Sequence, residues 1–166
     1  MTNPSDQSST VVAESIDVAV NPVVAYKAIS DMSRMVSWSP EFSQARQHGT
    51  QSLRVGDQFG GSNKRGIHRW RTTSTVIAAR SPVEFAFEVA AVGMPVARWT
   101  YTIEPTTNGC RVTEAWTDLR HGIIGFTIKS LGLVASGVWD RSTHNREGMK
   151  TTLALMKADL EAGKAA

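Results

Sequence analysis

The stretch at residues 141–162, RSTHNREGMKTTLALMKADLEA, constrains the fold more than any other. It holds no proline and is rich in Ala, Leu, Met, Lys and Glu, which lose little freedom on entering a helix. Met149, Leu153, Met156 and Leu160 recur at spacings of four, three and four, which is one face of a helix. Lys150, Lys157, Asp159 and Glu161 fall off that stripe toward solvent, and Gly163 supplies a stop. Most of the preceding chain reads as short strands, and a sheet with one apolar face needs cover. One long amphipathic helix against a run of strands is therefore the expected organisation. The stripe is then either core throughout, or the helix and a curved sheet stand apart and leave a ligand cavity between them.

The run of strands is legible from alternation. Residues 11–20 (VVAESIDVAV) form a first strand with Ile16, Val18 and Val20 on one face. Asn21-Pro22 then caps and opens a short helix, VVAYKAIS, whose expected buried set is Val23, Tyr26 and Ile29. A second helical turn, MSRMVSW, starts at Asp31 and ends before Ser39-Pro40. Strands follow at 42–46, 58–64, 67–79, 83–91, 96–104 and 110–119, with Gly60-Gly61 marking a bulge or a close backbone approach. The strand at 83–91 sets Phe85, Phe87 and Val89 against Glu84, Ala86 and Glu88. The next sets Ala97, Trp99, Tyr101 and Ile103 against Arg98 and its neighbours. Ser81-Pro82, Gly93 with Pro95, and PTTNG at 105–109 are the turns, Asn-Gly being the strongest hairpin signal. Strands joined so briefly form an antiparallel meander, since parallel neighbours need long crossovers.

Segment 121–138, HGIIGFTIKSLGLVASGV, breaks the pattern: it is apolar and carries four glycines. It is expected either to cap the open end of the sheet or to act as a mobile flap over a cavity mouth.

A chain of 166 residues is long enough for one domain with a real core. No stretch approaches the ~20 apolar residues of a membrane span, and the polar opening MTNPSDQSSTVVAES lacks the features of a signal peptide. The single Cys110 forms no internal disulfide and suits a reducing cytoplasm. The net charge of +3 is scattered. Its densest group, Arg65, Arg69 and Arg71 with His68 and Trp70 interleaved, has the composition of a nucleic-acid patch. Strand alternation alone produces the same pattern, so no nucleic-acid partner is expected.

Taken together, ESIDVAVNPVVAYKAISDMSRMVSWSPE, WRTTSTVIAARSPVEFAFEV, ARWTYTIEPTTNGCRVTEAW and NREGMKTTLALMKADLEA resemble the START/Bet v 1-like (SRPBCC) superfamily, and within it the polyketide cyclase/dehydrase and lipid-transport branch. The resemblance implies an α+β helix-grip fold, a curved antiparallel β-sheet wrapped around a long C-terminal α-helix with two short helices after the first strand. The polar composition of the opening predicts a disordered leader at 1–12, and the resemblance a single domain at 13–163. The resemblance further implies an internal cavity for a hydrophobic small molecule such as a lipid or polyketide; no cofactor is expected from the residues.

Candidate walls for such a cavity are Trp38, Trp70, Phe85, Phe87, Trp99, Tyr101 and Trp116, over a floor of Met149 and Met156. Glu114 shares strand parity with Val112 and Trp116, so it either points into the concave side or pairs with a nearby Arg. A carboxyl held among aromatics would have a raised pKa and is the weak catalytic candidate. His68 and His144 are weaker proton-shuttle candidates. The four His residues have no metal-ligand spacing, GGSNKRG lacks the form of a phosphate loop, and no G-x-S-x-G elbow is present. Two classes of function remain: a binder or carrier of an apolar molecule, and a cyclase or dehydratase acting in the same cavity.

Overall fold

The computed structural model describes residues 10–47, 52–120 and 140–163. Strand β1 (Val11–Val18) is followed by helices α1 (Pro22–Ile29) and α2 (Met32–Trp38). Six strands come next: β2 (Phe42–Gln47), β3 (Gln58–Arg65), β4 (His68–Arg80), β5 (Glu84–Ala91), β6 (Met94–Thr106) and β7 (Gly109–Asp118). Helix α3 (Arg141–Ala162) closes the described chain. β1 begins inside the stretch expected to be leader, with Val12 already buried. Residues 1–9 and the apolar segment 121–138 lie outside the described residues.

The strands form one antiparallel sheet in the order β1-β7-β6-β5-β4-β3-β2. Strands β2 to β7 are the expected meander, each paired with its successor. β1 instead adds to the far side of β7, opposing Val12 to Trp116 and Ile16 to Val112. α3 crosses the concave face, packing most heavily on β1 and also on β7 and α2. This is the helix-grip α+β fold.

Each helix starts where local chemistry satisfies its free N–H groups. Asn21 caps α1, Asp31 caps α2, and the Asp140 carboxylate accepts from the Ser142 and Thr143 N–H groups at the head of α3. The stripe of α3 is buried as its spacing predicts, and Asn145 and Thr152 join it. In α1 the expectation needs correction. Val23 is 42 % exposed, and Ala25, Tyr26, Ala28 and Ile29 make the buried face. Small alanines let the helix lie close to the sheet, whereas Val23 stands in the first turn, outside the contact.

Two glycines permit close approaches. A Cβ on Gly61 would meet the Thr72 Oγ1 at 2.7 Å and the Phe42 ring at 2.8 Å, so β2 and β4 close over that position. A Cβ on Gly109 would meet the Val18 carbonyl oxygen at 2.1 Å and the Ala19 Cα at 2.9 Å. Backbone cannot yield there as a side-chain tip can. Gly109→Ala is expected to destabilise the fold by about 3 kcal/mol, as overpacking does. A urea titration unchanged by the substitution would refute the close packing of β7 under the end of β1.

Candidate functional site

The concave face of the sheet carries side chains in cross-strand rungs. One rung runs Phe87, Trp99, Trp116, Val12 across β5, β6, β7 and β1. The next runs Phe85, Tyr101, Glu114, Glu14. Residues opposed in this way share a face and lie close enough to interact. α3 covers part of this surface but does not fill it. A cavity of about 510 Å³ remains between the sheet, α2 and α3, within the ~300–1,000 Å³ usual for small-molecule sites.

Seven of the ten residues expected at the site line this cavity: Trp70, Phe87, Trp99, Tyr101, Glu114, Trp116 and Met149. Trp38, Phe85 and Met156 do not. Trp38 is locked between α2 and α3, its indole Nε1 donating to the Asp159 Oδ2 at 2.9 Å with the Arg34 guanidinium 5.5 Å above its ring. Phe85 is fully buried edge-on to Tyr26, at a 6.3 Å centroid separation. Met156 is one turn too far along α3 and belongs to the core. Periodicity put Phe85 and Met156 on the inner faces of their elements; position along the element decided between core and cavity.

Glu114 is the polar centre of the inner cavity. It is 3 % exposed, and no Arg or Lys among the described residues pairs with it. Its Oε1 accepts from the Tyr101 hydroxyl at 2.7 Å, while its Oε2 has no partner among the described residues. Burial pushes the carboxyl up to about 8, against a smaller downward pull from the Tyr101 hydrogen bond. Burial also holds the Tyr101 phenol well above its ordinary range, and the neighbouring Glu114 adds to that effect. Near pH 7 the site therefore presents a neutral carboxylic acid, able to donate a hydrogen bond or a proton from the oxygen left without a partner. The Tyr101 hydroxyl also lies 3.6 Å from the Met35 Sδ, which fixes the ring against α2.

Sequence reasoning missed the charged outer end of the cavity. Glu41, just beyond α2, meets the Arg141 Nη1 at 3.1 Å and the His144 Nε2 at 2.8 Å. Arg141 in turn lies over the Trp70 ring, 5.6 Å from its centroid. Arg120 is held by both oxygens of Asp118 at 2.8 Å. These residues come from four separated segments, so no spacing in the chain announces them. The grouping of Arg65, Arg69 and Arg71 around Trp70 was the one local trace. His144 is thus a partner of Glu41, remote in sequence from Glu114. Arg98 is external as expected, bound to Glu88.

Among the described residues no group of His, Cys, Asp and Glu could hold a metal ion, and no helix is long and apolar enough to cross a membrane. No curated protein matches the sequence. Solved structures do match in fold. The solution structure of the Polyketide_cyc-like protein Cgl2372 from Corynebacterium glutamicum is 26% identical, with 95% of each chain covered and a TM-score of 0.63. Protein NE0264 from Nitrosomonas europaea is 15% identical over 94% of this chain and 97% of its own, with a TM-score of 0.65. Protein Ms6760 from Mycobacterium smegmatis is 17% identical over 92% of each chain, with a TM-score of 0.61. The family model described as polyketide cyclase / dehydrase and lipid transport matches residues 9–161. With its helix-grip sheet and walled cavity, the chain belongs to that family, within the START/Bet v 1-like (SRPBCC) superfamily.

Proposed function

We propose that the protein binds, and by extension transports, a hydrophobic small molecule such as a lipid or polyketide in the internal cavity. The observation that carries this reading is the 510 Å³ space whose walls are aromatic and thioether side chains, with one buried carboxyl at its inner end. Such a space is costly to keep unless something fills it, because its lining forfeits dispersion contacts. The buried free Cys110 supports a reducing compartment, hence the cytoplasm. Native mass spectrometry of the purified protein, with organic extraction of whatever it retains, tests the reading. A co-purified lipid-like or polyketide-like mass is the expected result. A clean apoprotein that also takes up no hydrophobic fluorescent probe would sink it.

A second reading, a polyketide cyclase or dehydratase, is favoured by one specific feature, the Glu114 Oε2 that has no partner among the described residues. A neutral carboxylic acid there would protonate a departing hydroxyl and, once ionised, take up a proton from the adjacent carbon, so that water leaves and the acid is restored. Glu114→Gln separates the two readings. An enzyme loses turnover and keeps ligand affinity; a carrier has no turnover to lose.

A further inference from the structure

Two aliphatic side chains stand almost wholly in solvent at one end of the sheet. Ile67 is 92 % exposed and Val92 is 95 % exposed. Gly66 and Ile67 form the two-residue turn between β3 and β4, and Val92 and Gly93 the turn between β5 and β6. In an antiparallel meander successive turns alternate between the two ends of the sheet, so these two share one end. The cavity reaches solvent there, since Val92 and Met94 belong to its lining. Val92 takes φ 52° and Gly93 φ 77°, a turn that favours Asn-Gly. A β-branched residue is strained in that conformation, and a side chain so exposed gains almost no packing in return. The fold does not account for Val92; contact with an apolar partner would.

The strand face around the tips is basic. Lys64 and Arg69 oppose each other on β3 and β4 and so share a face, and Arg71 follows on the same face two residues later. All three are exposed, and none has an ion-pair partner among the described residues. The hairpin they occupy, residues 58–80, contains no Asp or Glu. Arg69 is two residues from Ile67. Thr73 opposes Ala90, and the same register carried on brings Arg71 beside Val92. We propose that this end of the sheet docks on an anionic lipid bilayer, with Ile67 and Val92 entering the acyl boundary and Lys64, Arg69 and Arg71 lying against the lipid phosphates. Nucleic acid would use the same cations but offers the aliphatic tips nothing. The intervening ring, Trp70, is on the other face beneath Arg141 and is not free to stack on bases. Two aliphatic tips and three cations make a reversible contact rather than an anchor. The contact does not depend on what the cavity holds, but it sets the open end of the cavity against a source of apolar molecules.

Sedimentation with vesicles of phosphatidylcholine, with and without phosphatidylglycerol, tests this in the wild type, Val92→Asn, Ile67→Asn and Arg69→Gln. The wild type is expected to sediment with the anionic vesicles and to be released as salt rises. Each Asn variant should bind them about tenfold more weakly, and Arg69→Gln about fivefold more weakly. Asn suits a positive φ, so Val92→Asn should hold or raise the urea midpoint while it loses vesicle binding. That pairing separates a docking role from a structural one. A wild type that stays in the supernatant with anionic vesicles overturns the proposal. So does binding that Arg69→Gln weakens and neither Asn variant changes, because the cations would then serve any polyanion, RNA included. A urea midpoint lowered in both Asn variants overturns it as well, since the tips would then be packed in the fold. Vesicle binding by a protein that takes up no hydrophobic probe supports the proposal and sinks only the cavity reading.

Discussion

Replacing Glu114 by Gln will abolish a decline in stability that the wild-type protein shows between pH 4.5 and about 8. The sign follows from proton counting. Below 4.5 the carboxyl is protonated in both folded and unfolded chains, and its contribution to stability is fully present. As pH rises, the unfolded chain releases the proton while the folded chain keeps it, because the buried anion would lack solvation. Stability falls by about 1.4 kcal/mol per pH unit until the folded carboxyl also ionises near 8, a loss on the order of 5 kcal/mol in all. Gln has no such titration. Its amide retains an acceptor for the Tyr101 hydroxyl but puts two N–H donors where the neutral acid has one O–H, and the additional unpartnered donor costs about 1–3 kcal/mol at every pH. The variant is therefore expected to start less stable in acid and finish more stable in mild alkali. Urea denaturation of both proteins across the range measures the difference. Parallel pH profiles would show that Glu114 is solvated, and the neutral acid at the heart of the dehydratase reading would go with it.

Phe85→Ala will cost about 4 kcal/mol of stability, as truncation of a buried aromatic does. Phe85 has no exposed surface and packs on both Tyr26 and Phe87, with centroids 6.3 and 6.0 Å away. Trp99→Ala, two strand positions from Phe85's partner Tyr101, is expected to act differently. Trp99 is half-buried and lines the cavity, so its loss should weaken uptake of a hydrophobic probe and cost less stability. Thermal unfolding and probe titration of the two variants should cross over. A Phe85→Ala protein of wild-type stability but lowered affinity would return that ring to the site and contradict the packing described above.

Both contrasts arise from the same concave face, whose residues were readable in advance and whose roles were not. Period-two alternation grouped Phe85 with Phe87 and Trp99 with Tyr101, and gave Glu114 the parity of Trp116 while leaving its side open, because a single buried face forces that pattern. It could not say that the Phe85 level lies under α1 while the Trp99 level stays open. The partner of Glu114 was also out of reach. With Asn108-Gly109 at the centre of the hairpin, Tyr101 would face Trp116. The turn instead centres on Thr107 and Asn108, Gly109 enters β7, and Tyr101 faces Glu114. The pressure for that register is tertiary: Gly109 is needed under the Val18 carbonyl, where any side chain would collide.

The sequence by itself determined the elements, their order, the buried stripe of α3 and the family resemblance, because these follow from local propensity and from periodicities that a half-buried strand or helix imposes. Only the tertiary structure decided that β1 pairs with β7, that α3 leaves a cavity open beside Trp99, and that Glu41, Arg120 and Arg141 gather at its outer end. Those are contacts between residues as far apart in the chain as Val11 and Thr117. They depend on sheet curvature and on the angle at which one helix crosses it, and no local pattern along the chain encodes either.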